Sequence, residues 1–131
     1  MRWRACLASV LAAGVVVPCF EVVAQERRKP LDDPQIARGW QALRTLNCER
    51  CHGKGHTGLA APSIVDYART QEREAFVRMV LDGDPPRGMP GYRGNPLVSD
   101  NIDGIYRYFL GRADQSIGAG DRPDERLWRE F

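Results

Sequence analysis

Apolar residues recur at helical spacing in three stretches of this chain, and nowhere do they alternate as they would along a half-buried strand. Ile36, Trp40, Leu43 and Leu46 form the first stripe and predict a helix from Pro34 to about Asn47. Asp33 precedes it as a capping residue, and Pro34 suits the first helical position. Ala75, Phe76, Met79 and Val80 share a second face, predicting a helix from about Gln71 to Leu81 with Gly83 as its stop. Ile102, Ile105, Tyr106 and Phe109 form a third stripe, on a helix that begins near Ser99 or Asp100 and that Gly111 ends. Two stretches carry no period. Residues 53–62 hold Gly53, Gly55 and Gly58, and residues 82–96, "DGDPPRGMPGYRGNP", are too rich in Pro and Gly for regular structure. No repeat and no strand pattern emerges, so the expected class is all-α.

The ends of the chain differ from its middle. Arg2 and Arg4 precede an apolar run from Ala5 to Phe20, shorter than the roughly 20 residues of a membrane span. Val22 and Ala24 supply the small residues of a cleavage site, so residues 1–24 read as a secretory signal. A retained anchor is the alternative; Pro18 before Cys19 argues against a lipoprotein. Residues 25–33 form a polar arm, residues 34–111 the domain, and residues 112–131 a tail frayed by default, although Leu127, Trp128 and Phe131 near its end allow packing. No span then remains in the mature chain.

Charge excludes more than it suggests. The formal net charge of +2 loses Arg2 and Arg4 and regains one unit with Glu21, leaving about +1 after cleavage. Lys and Arg are scattered, so no nucleic-acid footprint is present. Cleavage also removes two of the four cysteines, leaving Cys48 and Cys51. That is no disulfide framework for an exported domain, and a large buried cofactor would supply the missing stability.

The remaining pair stands in "LNCERCHGKGH", residues 46–56. Zinc needs a tetrahedron usually built from two separated ligand pairs, and here Cys48, Cys51, His52 and His56 crowd together with no second pair. A thioredoxin-like redox pair belongs beside a parallel-sheet pattern, which is absent. Haem attachment uses every position: two thiols three residues apart add to two vinyl groups, and the adjacent His52 offers an imidazole to the iron. Haem c is made outside the cytoplasm, in agreement with the export signal.

In this order of parts, the chain resembles a small monohaem cytochrome c across roughly residues 34–111: an N-terminal helix, Cys48-x-x-Cys51-His52, a proline-bearing loop, and a late methionine before a C-terminal helix. The resemblance implies three to four helices wrapped around one covalent haem c. It places Pro62 of "LAAPSI" as the carbonyl that accepts the proximal histidine's Nδ1 proton. It also implies that Gly39 and the aromatics Tyr106, Tyr108 and Phe109 form a crossing of first and last helices. An aromatic common in the family four residues before the first cysteine is Arg44 here, and Trp40 takes over its volume.

For the sixth ligand, Met89 in "RGMPGY" is the expected residue, in a loop where no apolar face claims it. Met79 reads as packing on a helix face, and His56, too close to His52, as a surface or propionate-side histidine. Tyr67 and Tyr92 are candidates for the pocket lining, and Lys54, Arg87 and Arg93 for the propionates. Iron held by His52 and Met89 has no open position, which implies an electron-transfer protein rather than an enzyme. The rival is a haem enzyme or sensor with a displaceable sixth ligand. The stretch from Met89 to Pro123 is similar to cytochromes that serve quinoprotein alcohol dehydrogenases. The expectation is a soluble, monomeric periplasmic carrier passing electrons from such a dehydrogenase towards a terminal oxidase, with a general respiratory-chain cytochrome as the other possibility.

Overall fold

The computed structural model describes residues 29–127 and 129, so the leader, the start of the arm and the side chains of Trp128 and Phe131 lie outside it. Among the described residues six α-helices follow one another: α1 (Pro34–Thr45), α2 (Glu49–His52), α3 (Ile64–Thr70), α4 (Arg73–Asp82), α5 (Pro96–Ser99) and α6 (Ile102–Ala113). The all-α class is observed, with one isolated antiparallel bridge between Asp84 and Met89 and no strand among the described residues. Asp33 caps α1 as expected, its carboxylate accepting from the Gln35 N–H at 2.8 Å. That bond satisfies one of the free donors of the first turn.

Helices α1 and α6 cross at two glycines. A Cβ on Gly39 would lie 2.4 Å from the Gly104 carbonyl carbon, and one on Gly104 would lie 2.0 Å from the Gln35 oxygen. The helix backbones therefore touch, and Ile36, Ala42, Leu43, Ile105, Tyr108 and Phe109 pack around the contact. Glycine inside a helix costs roughly 0.5–1 kcal/mol. Burying one large apolar side chain returns about 1.5–3 kcal/mol, so the close crossing wins. Phe76 of α4 completes the core, its ring 6.0 Å from that of Phe109 and 5.1 Å from that of Tyr106. Trp40 packs against the same core.

The structure corrects the sequence reading in several places. Residues 64–70 form α3, which carries no long stripe; Ser63 caps it, accepting from the Asp66 N–H at 3.1 Å, and Ala68 is its buried residue. The last helix starts at Ile102 after the separate turn α5. Gly111 does not end α6, which continues to Ala113. Its missing side chain admits Ile117 instead, since a Cβ there would meet the Ile117 Cδ1 at 2.6 Å. Ile117 is 1% exposed and Pro123 is buried, so the tail is docked rather than frayed through the described residues. Its left-handed turn falls at Gln115, with φ 66°.

Candidate functional site

Helix α1 ends at Thr45, Asn47 turns the chain at φ 51°, and the single turn α2 follows with Cys48 as its cap residue. The His52 N–H donates to the Cys48 carbonyl at 3.1 Å, so both cysteines and the histidine ride on one rigid turn. The two cysteines form no disulfide with each other; Cys51 is exposed and Cys48 half-buried. Burial pushes the Cys48 thiol up, and a charge on Cys51 would push it the same way. The Tyr92 phenol is raised by its own burial and then by charge on Cys48 and Cys51, which brings this residue of the methionine loop beside the cysteine pair.

The loop after α2 folds straight back onto it. The Gly58 N–H donates to the His52 carbonyl at 2.7 Å, and the Ala61 N–H to the Cys51 carbonyl at 2.9 Å. The Gly55 N–H donates to the Glu49 carboxylate at 2.8 Å. These bonds bring Pro62 to His52, whose Nδ1 lies 2.7 Å from the Pro62 carbonyl oxygen. A carbonyl only accepts, so the proton sits on Nδ1 and the Nε2 lone pair is free for a metal.

Met89 is half-buried in a loop pinned to the end of α4. The Asp84 N–H donates to the Met89 carbonyl at 2.9 Å, and the Met89 N–H returns to the Asp84 carbonyl at 3.1 Å. Gly83, at φ 71°, ends α4 as expected and meets Gly91 so closely that a Cβ would lie 2.5 Å from the Gly91 nitrogen. The Arg93 N–H then donates to the Leu81 carbonyl at 2.9 Å, leading the chain towards Tyr92 and the thiols. Met79 is half-buried on α4. Arg87 is paired with Asp84 and Arg93 with Asp82, so both guanidiniums have carboxylate partners of their own.

Leu46, Ile64, Val65, Tyr67, Val77, Val80, Leu81, Tyr92 and Leu97 are partly buried apolar side chains packed on the core. Two cysteines and an oriented imidazole on one turn, with partly buried apolar side chains available on the core, fit a macrocycle attached through thioethers. No cluster of three or more His, Cys, Asp or Glu is assembled among the described residues.

Of the two places the sequence reading gives His56, surface or propionate side, the surface is excluded, since the residue is 3% exposed. Its ring meets Phe109 edge-on, with centroids 5.1 Å apart and planes at 84°. Neither ring nitrogen has a hydrogen-bond partner. Burial drives its pKa down to about 4, with Arg112, His52 and Arg44 adding to the effect and Glu49 opposing it. Lys54 lies on the same side, lining a cleft of about 550 Å³ with Trp40, Arg44, His56, Tyr108 and Arg122. No sequence signal marked the burial of His56, whose own neighbours are mostly Gly and polar.

A helical fold with this turn and cradle defines a c-type cytochrome. The chain belongs to the family described as cytochrome c oxidase, cbb3-type, subunit III, whose profile matches residues 34–109. It is 29% identical over 116 residues to cytochrome c-555 of Methylococcus capsulatus (strain ATCC 33009 / NCIMB 11132 / Bath), covering 88% of this chain and 86% of that one. The crystal structure of the c-type cytochrome XoxG from Methylobacterium extorquens AM1 matches with a TM-score of 0.60 at 25% identity. That match covers 70% of this chain and 57% of XoxG, so this chain spans little more than half of its length. The protein is thus an electron-transfer protein with covalent haem c, not an enzyme.

Proposed function

We propose that this chain is an exported one-electron carrier whose haem is held by Cys48 and Cys51 through thioethers and by His52 and Met89 at the iron. The observation that carries this reading is the 2.7 Å bond between His52 Nδ1 and the Pro62 carbonyl on the Cys48–His52 turn. Haem supplies a one-electron iron couple. Pro62 holds the His52 tautomer and raises its basicity. Met89 offers a soft thioether, which favours reduced iron and raises the potential relative to a second imidazole. Val65, Val77, Val80 and Leu81, partly buried apolar residues on the core, would help keep water from a bound haem, so little solvent would have to reorganise when charge changes.

Residues 1–24 act as the signal in this reading, residues 34–111 carry the cofactor, and the mature protein is a periplasmic monomer. No helix among the described residues is long and apolar enough to cross a membrane. The donor is a quinoprotein alcohol dehydrogenase and the acceptor leads towards a terminal oxidase, in keeping with the resemblance of residues 89–123.

The test has two parts. Met89→Ala should abolish the ferric near-infrared band of sulfur ligation and lower the potential, whereas Met79→Leu should keep the band; the opposite result reverses the ligand assignment. Oxidised protein mixed with a reduced quinoprotein dehydrogenase of the same organism should be reduced within the enzyme's turnover time. Slow reduction there, with fast reduction by a membrane quinol oxidoreductase, would make it a general respiratory-chain cytochrome.

A further inference from the structure

The loop of residues 53–62 delivers the Pro62 carbonyl; backbone hydrogen bonds lace it to α2, and a single side chain of the loop is buried in the core. Gly53, Gly55 and His56 are its buried residues, so His56 contributes the loop's one buried side chain. Pro62 itself is exposed. The His56 ring nitrogens have no hydrogen-bond partner, and the ring meets the core edge-on at Phe109. Phe109 is in turn held by Phe76 and Tyr108, with ring centroids at 6.0 and 5.3 Å. His56 also adopts φ 61°, a left-handed conformation that histidine accepts more readily than most side chains. Its pKa near 4 keeps the ring neutral at pH 7, so it packs without a charge.

We propose that His56 is a positioning residue: its ring, wedged against Phe109, holds the 53–62 loop so that the Pro62 carbonyl stays in line with the His52 Nδ1–H. It rests on the reading of His52 as the proximal ligand. A hydrogen bond of 2.7 Å weakens steeply once its partners drift or tilt, so small loop displacements matter.

The test uses the haem-loaded, reduced, 15N-labelled protein and follows exchange of the His52 Nδ1 proton together with the midpoint potential. His56→Asn keeps tolerance of the left-handed backbone but removes the ring. It should exchange that proton at least about 10-fold faster and shift the potential upward, because a less basic imidazole stabilises oxidised iron less. His56→Phe keeps an aromatic ring against Phe109; it should melt lower because of its backbone strain yet return exchange and potential close to wild type. A lower melting point with unchanged exchange and potential in His56→Asn would overturn the proposal. So would rescue by Asn and failure by Phe, which would assign the effect to backbone conformation alone. Should His56→Asn fail to accumulate with haem, Phe109→Leu removes the partner ring, and unchanged exchange there would also overturn it. A wild-type protein lacking any protected His52 Nδ1 proton would refute the His52–Pro62 pairing itself, a separate outcome.

Discussion

Gly104→Ala tests whether the two outer helices are in backbone contact. The added Cβ would lie 2.0 Å from the Gln35 oxygen and 2.7 Å from its carbonyl carbon, against the 3.4–4 Å of ordinary contact. Backbone has no rotamer to escape into, so α1 and α6 must part by more than about 1 Å, loosening the packing of Ile36, Leu43, Ile105 and Phe109. Overpacking costs about 1–3 kcal/mol and occasionally more, while alanine returns up to about 1 kcal/mol of helix propensity. A rigid clash belongs at the upper end, giving a net loss of about 2 kcal/mol and a fall in Tm of roughly 8–16 °C for a domain of this size. The assay is a thermal melt of the haem-loaded protein followed by far-ultraviolet circular dichroism. Gly94→Ala is the control, since a Cβ there meets nothing within 4 Å. If Gly104→Ala melts within about 2 °C of wild type, the crossing is not set by this contact.

His56 has its folded pKa depressed to about 4 from 6.5, so the unfolded chain takes up a proton first on acidification. The resulting stability is present above pH 6.5 and is lost as pH falls towards 4, to a limit on the order of 3 kcal/mol. His56→Phe should flatten that acid limb in urea titrations across this window; an unchanged slope would refute the buried neutral ring. Ile117→Ala should cost about 2–5 kcal/mol, because the tail's anchor fills the Gly111 notch; a loss below about 0.5 kcal/mol would mean that the tail does not dock. Arg107→Gln removes a partly exposed pair at 2.6 Å from Asp33 and should cost less than about 1 kcal/mol, less still in high salt.

Long apolar stripes and short covalent spacings were readable in the sequence because both are local. The stripe of Ile102, Ile105, Tyr106 and Phe109 requires a buried helical face wherever the helix packs, and the close spacing of Cys48, Cys51 and His52 puts them on one turn. The cap at Asp33 and the stop at Gly83 are likewise decided within a few residues of chain. Helix α3 escaped because seven residues are too few to show a period, and its one buried residue is Ala68. Gly111 misled because a glycine that ends a helix and one that admits a neighbour's side chain look the same in sequence.

What the sequence determined by itself was the class, the helices with a stripe and the placing of Cys48, Cys51 and His52 on one turn. What only the tertiary structure decided was how distant segments meet: Gly39 against Gly104, Ile117 in the Gly111 notch, Pro62 at His52, and His56 under Phe109. His56 shows why. Its burial comes from no apolar pattern of its own, but from a loop laced to α2 by backbone hydrogen bonds, which carries a polar residue against the face of another helix. Local sequence specifies what a segment buries; whether a polar residue is buried with it depends on which surface the folded chain brings opposite.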